Sequence, residues 1–285
     1  MRSLADTLQY QVVPPHPLLA PYIACYWILR TRMEQMTRRE LILPDGYAEL
    51  ILNFGAGYSW HDQERQIKQE IKTVHLVGER DATIWVDLSE AIQQVGVKFK
   101  PIGLFTLLKQ PLSELSNQIV SPGELSDRSL QEIYEQVIAA PEDTEKIHAL
   151  NTFFLQRLLV ADLAEPLVEK AIRLILRHQG NLRIDDLKDS LNVHYKTLER
   201  KFRTHVGLSP KTFARIVRFK HTYKQFHRIA QQDPAFFLEL GYYDQNHFIK
   251  DFKYFLHTTP SAYLRRQQAL SDEIVRRGLI ERSQP

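Results

Sequence analysis

Lys201–Phe213 reads KFRTHVGLSPKTF, and Asp251–Leu264 reads DFKYFLHTTPSAYL. The second string repeats the first: Phe202, Gly207, Ser209, Pro210 and Phe213 correspond to Phe252, His257, Thr259, Pro260 and Tyr263. Each copy follows a short helix, a tight turn and a second helix, so the region predicts a duplicated helix-turn-helix. Outward from it, helices are predicted over roughly 184–191, 195–205, 210–228, 234–240, 245–256 and 261–269. Another opens at Pro166 and runs through Gln179 to the stop at Gly180-Asn181.

In the first unit, Ile184, Leu187 and Leu191 form one apolar stripe, and Leu198 and Phe202 another. The stripes are spaced to pack on each other and on Ile172, Leu174 and Ile175. The opposite side of the second helix carries Lys196, Glu199, Arg200 and Arg203, positions that share one helical face. With Tyr195 at the helix start, these are the residues expected to reach DNA. A helix fits the major groove, where Arg200 or Lys196 can donate to guanine and Glu199 can accept from a cytosine amino group. An exposed charged helix looks the same by itself; the turn, the stripes and the repetition separate the two readings.

In the second unit, Phe248, Phe252 and Phe255 are expected inside, with Gln245, Asn246, Ile249, Lys250 and Lys253 facing DNA. Asn and Gln suit adenine, and Ile249 suits a thymine methyl group. Asp244 is placed to cap this helix. The helix over 210–228 is roughly 28 Å long at 1.5 Å per residue, near the ~34 Å advance of one DNA turn. It is therefore expected to set two reading helices into successive major-groove segments. Arg215, Arg218, Lys220 and Lys224 along it are candidate phosphate contacts.

Upstream, apolar runs at 40–43 and 47–54 flank Pro44-Asp45-Gly46 and read as paired strands. Further strand candidates lie at 74–78, 84–86 and 95–99, mostly antiparallel because the connections are too short for crossover helices. Helical spacing follows at 102–108, 130–140 and 144–160, with Asp143 or Thr144 capping the last. The expected fold class is an α+β N-terminal domain with mostly antiparallel strands plus helices. An all-α C-terminal domain follows, its two helix-turn-helix units joined by a long linker helix. Predicted boundaries are 1–163, 167–268 and a tail over 269–285, with Ala164-Glu165-Pro166 at the junction.

The 285 residues suffice for about two domains. The net charge of +3 conceals a division: residues 1–166 hold 15 Lys and Arg against 22 Asp and Glu, whereas residues 167–285 hold 22 against 12. Such asymmetry suits one domain facing phosphates, although two domains neutralising each other by docking would also produce it. No leader pattern and no apolar run of ~20 residues is present, so a cytoplasmic protein with no membrane partner is expected. The single cysteine, Cys25, reads as a small buried hydrophobe.

No metal, cofactor or catalytic residue is expected, so the chain does not read as an enzyme. Gly55-Ala56-Gly57 lacks the spacing of a phosphate loop. His16, His61 and His75 lack the pairing of a metal site, one cysteine cannot build a thiolate cage, and His221 and His227 do not share a helix face. Asp45 and Glu49 could hold a cation or simply be a turn carboxylate and a strand residue. Trp27, Trp60 and Trp85 could fill a core or line a ligand pocket.

Through LERKFRTHVGLSPKTFARIVRF (Leu198–Phe219), LGYYDQNHFIKDFKYF (Leu240–Phe255) and the following TPSAYL, the chain resembles the AraC/XylS family of bacterial transcription regulators. APYIACYW, LPDGYAEL, VGVKFKPIG and LKQPLSEL are similar to an uncharacterised N-terminal domain found on some members. The resemblance implies a sequence-specific regulator that binds double-stranded DNA, often as a homodimer. It also implies an N-terminal half that senses a small-molecule effector or mediates association, and RNA polymerase as partner if the protein activates. Two alternatives stand beside it: an N-terminal half that is purely a protein-interaction module, or an enzyme fused to a DNA-binding domain. The sequence departs from the family at Lys188 and Phe237, where small residues are usual, and at His257, where glycine is usual.

Overall fold

The computed structural model describes residues 8–31, 38–88, 91–125, 127–161, 165–229 and 236–264. The expected tail over 269–285, the junction at Ala164 and the outer parts of the helices expected at 234–240 and 261–269 lie outside these residues. Among these residues, ten strands precede most of the helices: β1 (Leu8–Val13), β2 (Ile23–Thr31), β3 (Arg38–Ile42), β4 (Ala48–Asn53), β5 (Tyr58–Asp62), β6 (Ile67–Ile71), β7 (His75–Val77), β8 (Ile84–Leu88), β9 (Gln93–Phe99) and β10 (Ile119–Val120). They form two sheets, ordered β1-β2-β9-β4-β7-β10 and β3-β8-β5-β6. Every pairing is antiparallel, as expected.

The two-residue period of a strand divides β4 between two cores. Ala48, Leu50 and Leu52 face helices α1 (Gly103–Leu108), α3 (Ser129–Ala139) and α4 (Asp143–Leu159), packing with Leu104, Leu107, Leu130, Leu150 and Phe154. Ile51 faces the other way, onto Tyr58, Trp60, Ile84 and Leu88 of the second sheet. The larger sheet is thus covered on both faces. That explains why β2 is a run of buried residues without polar alternation, and why its sequence carries no clean strand signal.

One expectation is corrected. The runs flanking Pro44-Asp45-Gly46 are strands but not partners: β3 pairs with β8, and β4 pairs with β9 and β7. The turn, with Gly46 at φ +80°, carries the chain from one sheet to the other, across the ~10 Å that separates packed sheets. Its Asp45 side chain is anchored on Lys98 of β9, a long-range contact that nothing in the local sequence announces.

The remaining elements are helical: α2 (Leu112–Leu115), α5 (Pro166–Arg177), α6 (Ile184–Ser190), α7 (Tyr195–Val206), α8 (Pro210–Ile229), α9 (Phe236–Glu239), α10 (Gln245–Leu256) and α11 (Pro260–Leu264). The predicted stripes form one core, with Leu187, Leu198, Phe202, Ile172 and Ile175 buried and Ile184, Leu191 and Leu174 packed at its margin. α8 serves both units. Its Phe213 ring lies 5.6 Å from Phe202, while Phe219 stacks on Phe255 at 4.4 Å and Phe226 meets Phe252 at a tilt, 4.8 Å between centroids.

The duplicated string has a physical reading at each position. α7 ends at Gly207 with φ +89°, and α10 ends at His257 with φ +52°, both left-handed caps. Two residues on, Ser209 Oγ and Thr259 Oγ1 each accept a main-chain N–H at 3.1 Å, from Thr212 and Ala262. Pro210 and Pro260 then open the next helix, where their missing N–H costs nothing.

Candidate nucleic-acid interface

On α7, Lys196, Arg200 and Arg203 are exposed, while Tyr195 and Glu199 are half-buried. Glu199 is drawn along the surface to Arg203 at 3.1 Å. Lys196 and Arg200 make no ion pair among the described residues. The back of the same helix is occupied: Lys201 pairs with Glu165 at 2.7 Å, and the His205 ring lies 4.2 Å from Phe105. His205 is nine residues after Lys196, half a turn away at about 100° per residue. The upstream half therefore docks behind the helix and leaves its charged face open.

On α10, Gln245, Asn246, Lys250 and Lys253 are exposed, and Phe248, Phe252 and Phe255 are buried. The Asp244 carboxylate caps the helix by accepting the His247 main-chain N–H at 2.7 Å. Ile249, expected to face DNA, is half-buried against the helical core. Tyr243, beside the cap, was not singled out from the sequence, yet its side chain is 89% exposed. Its only sequence signal is its place directly before Asp244 in the turn.

The four basic residues of the linker, expected on phosphates, have other partners. Arg215 Nε and Arg218 Nη2 donate to the two oxygens of Asp251 at 2.8 and 3.0 Å. Asp251 is only 3% exposed, and a carboxylate so buried requires counter-charge. Arg215 also lies 4.0 Å over the Tyr254 ring. On the opposite side of α8, Lys220 and Lys224 point into a cavity of the upstream half. The pairs diverge because Arg215 and Lys224 are nine positions apart, again half a turn. Arg215 and Arg218 thus orient α10 on the linker, while Lys220 ties the linker to the sheets.

Two further contacts reach α7 and α10 from the upstream half. Ser116 Oγ donates to the carbonyl of Gly207 at the end of α7, and Thr83 Oγ1 donates to the carbonyl of Phe255 in the last turn of α10. Carbonyls at helix C-termini lack intrahelical partners, and each unit takes its missing donor from the same neighbouring body. Leu41, Trp85 and Ile102 complete the contact by joining the helical core.

Between the sheets lies a cavity of about 260 Å³, lined by Trp27, Trp60 and Tyr58 on the sheet side and by Phe219, Lys220 and Tyr223 of α8. Both open alternatives for the tryptophans hold here: Trp27 and Trp60 are buried and also form cavity wall. Trp85 packs at the margin of the helical core. The cation held by Asp45 and Glu49 is an ammonium group. Lys98 Nζ donates to Asp45 and lies 3.4 Å from Glu49. Burial alone would raise the Asp45 carboxyl, but Lys98 and Lys220 hold it below the ordinary carboxylate value. Burial lowers Lys220 to about 8. Among the described residues, no group of three His, Cys, Asp or Glu side chains could hold a metal, and no helix is long and apolar enough to cross a membrane. Cys25 is buried, and burial raises its thiol to about 11.

Residues 187–266 match the family described as a helix-turn-helix domain, and residues 11–121 match a domain of unknown function, DUF6597. A relative described as an uncharacterized HTH-type transcriptional regulator, from Haemophilus influenzae, is 27% identical over 117 residues. That alignment spans 41% of this chain and 39% of the relative. The crystal structure of ToxT from Vibrio cholerae O395 is similar over 91% of this chain and 97% of that one, at 15% identity and a TM-score of 0.46.

Proposed function

We propose that this protein is a sequence-specific, DNA-binding transcription regulator of the AraC/XylS type, acting in the bacterial cytoplasm. The observation that carries the reading is the pair of equivalent helices, α7 and α10, each seated in a helix-turn-helix unit. Each has its polar face open and its apolar face in a shared core. Lys196, Glu199, Arg200 and Arg203, with Tyr195, are the base-reading set of the first unit; Gln245, Asn246, Lys250 and Lys253 are that of the second. Tyr243 joins the second set, placed to meet the sugar-phosphate backbone beside the cap. The linker α8, 20 residues long and hence about 30 Å, spaces the units close to the ~34 Å pitch of the duplex.

Residues 1–163 form the regulatory half, 167–268 the DNA-binding half and 269–285 a tail. The contacts of Thr83, Ser116 and Lys220 support control of the reading helices by the upstream half, and the cavity supports a small-molecule effector over a purely protein-binding module. Association into a homodimer, and contact with RNA polymerase during activation, complete the reading. Gel-shift titration with the DNA flanking the protein's own gene, against an unrelated competitor fragment, tests it. Retention of the flanking DNA at competitor excess is expected; equal affinity for both fragments would remove the claim of sequence specificity.

A further inference from the structure

We propose that Asn117 is the positioning residue of a bracket in the upstream half that fixes α7 and α10 relative to each other, and with them the spacing of the two half-sites read on DNA. The proposal deepens the regulator reading and rests on it for the consequence on DNA; the bracket itself is a property of the fold.

The bracket is a continuous path between the C-terminal ends of the two helices. Ser116 donates its hydroxyl to the carbonyl of Gly207, the residue that ends α7. The next residue, Asn117, is bonded twice to the loop between β7 and β8. Its main-chain N–H donates to the Glu79 carbonyl at 2.9 Å, and its Oδ1 accepts the Asp81 main-chain N–H at 3.0 Å. Two residues further along that loop, Thr83 donates to the carbonyl of Phe255 in α10.

The two segments of the bracket are in close contact. β10 pairs with β7, and the Gly78 N–H, donating to the Gln118 carbonyl at 3.1 Å, carries that ladder on toward Asn117. A Cβ at Gly78 would lie 1.9 Å from the Leu115 carbonyl, so this approach requires glycine. Asn117 has φ +61°, a left-handed conformation that asparagine adopts more readily than most residues. Asp81 is held from its other side by Arg65 at 2.6 Å.

A second tie changes what the pair of helices can do. α8 already joins the two units, through Phe213 on Phe202 and through Phe219 and Phe226 on Phe255 and Phe252. Apolar burial is non-directional, so such a spine resists separation more than rotation. Hydrogen bonds are directional, and those to Gly207 and Phe255 hold the helix ends, removing the pivot that the spine leaves. One base pair added between two half-sites moves the second by about 3.4 Å along the duplex and about 35° around it. A fixed pair of helices cannot follow that displacement, whereas a pivoting pair follows part of it.

The test separates spacing from affinity. Full-length wild type, Asn117→Gly and Asn117→Asp each select binders from a pool of random-sequence DNA duplexes. Glycine keeps the left-handed backbone and removes the Oδ1 acceptor; aspartate keeps the acceptor. Wild type and Asn117→Asp are expected to enrich two motifs at one separation, and to lose about tenfold or more in affinity when a base pair is inserted between them. Asn117→Gly should enrich the same motifs at several separations, with the insertion costing less than the roughly fivefold loss of one mismatched base pair. Ser116→Ala, which opens the bracket at its α7 end, should match Asn117→Gly, and thermal melts check that both variants are folded. Binding weakened equally at every separation, with the preferred one unchanged, is what a merely structural role produces and would overturn the proposal. Spin labels on Arg200→Cys and Lys250→Cys, both exposed, read the bracket without DNA in a Cys25→Ala background. Their distance distribution should broaden in Asn117→Gly. An unchanged distribution defeats the bracket whatever the DNA shows, and broadening without any enriched motif defeats the regulator reading alone.

Discussion

The hydroxyl of Thr83 donates to the main-chain carbonyl of Phe255, with both groups buried. Thr83 lies just before β8, and Phe255 lies in the last turn of α10. A single side chain of the upstream half thereby supplies a donor that the C-terminal end of α10 cannot supply for itself.

Replacing Thr83 with valine keeps the shape and removes the donor. The buried carbonyl left unpaired is expected to cost about 1–3 kcal/mol, read as a lowered denaturation midpoint of the full chain. Thr83→Val melting like the wild type would mean that α10 needs nothing from its neighbour.

Gly207 and His257 occupy the same left-handed position with opposite suitability. A Cβ at 207 would lie 2.7 Å from Ser116 Oγ and 3.0 Å from the Leu112 carbonyl, in a conformation that itself costs L-residues about 1–2 kcal/mol. Gly207→Ala should therefore destabilise by at least that amount. His257→Gly should instead stabilise by about 0.5–1 kcal/mol, because it relieves the same strain without crowding. Thermal melts of the two variants should shift in opposite directions.

Arg200 stands exposed at the centre of the α7 face. Arg200→Ala should cost about 1–3 kcal/mol on a specific site if the guanidinium reads a base, and much less on random DNA. Gel-shift affinities on both DNAs, over a range of salt, make the check. A uniform loss across sequences would reassign Arg200 to phosphate.

His75, on β7 of the larger sheet, is buried and held neutral. Its Nδ1–H donates to the Thr73 carbonyl at 2.9 Å, and Nε2 accepts from the Tyr58 hydroxyl at 2.7 Å. Burial lowers it from the ordinary 6.5 to about 4. Between these values the unfolded chain binds a proton that the folded chain refuses, so stability falls as pH drops from about 6.5 to 4, by about 3 kcal/mol in all. Urea midpoints measured across that window should decline, and His75→Gln should flatten the decline. An unchanged slope in the variant would assign the effect to other groups.

Helices α7 and α10 were legible because a helix advertises itself locally. Phe248, Phe252 and Phe255 inside and Asn246, Lys250 and Lys253 outside follow from 3.6 residues per turn, and α10 begins and ends where its caps predict. Ile249 borders both faces, and packing against the helical core half-buries it. The linker arginines illustrate a second limit. Their charge was visible, but Asp251 lies 36 residues from Arg215, and no periodicity connects them.

By itself, the sequence determined the all-helical C-terminal half, its duplication and the exposed polar faces of α7 and α10, since these depend on neighbours within a turn or two along the chain. Only the tertiary structure decided that the strands around Pro44-Asp45-Gly46 belong to different sheets, and that Thr83 and Ser116 cap the ends of α10 and α7. It also decided that Lys220 turns into a cavity between the sheets. Each of these turns on groups tens of residues or more apart meeting in a buried, low-dielectric place. There an unpaired charge or carbonyl is too costly to persist, and the partner that relieves it is chosen by the packing of whole layers.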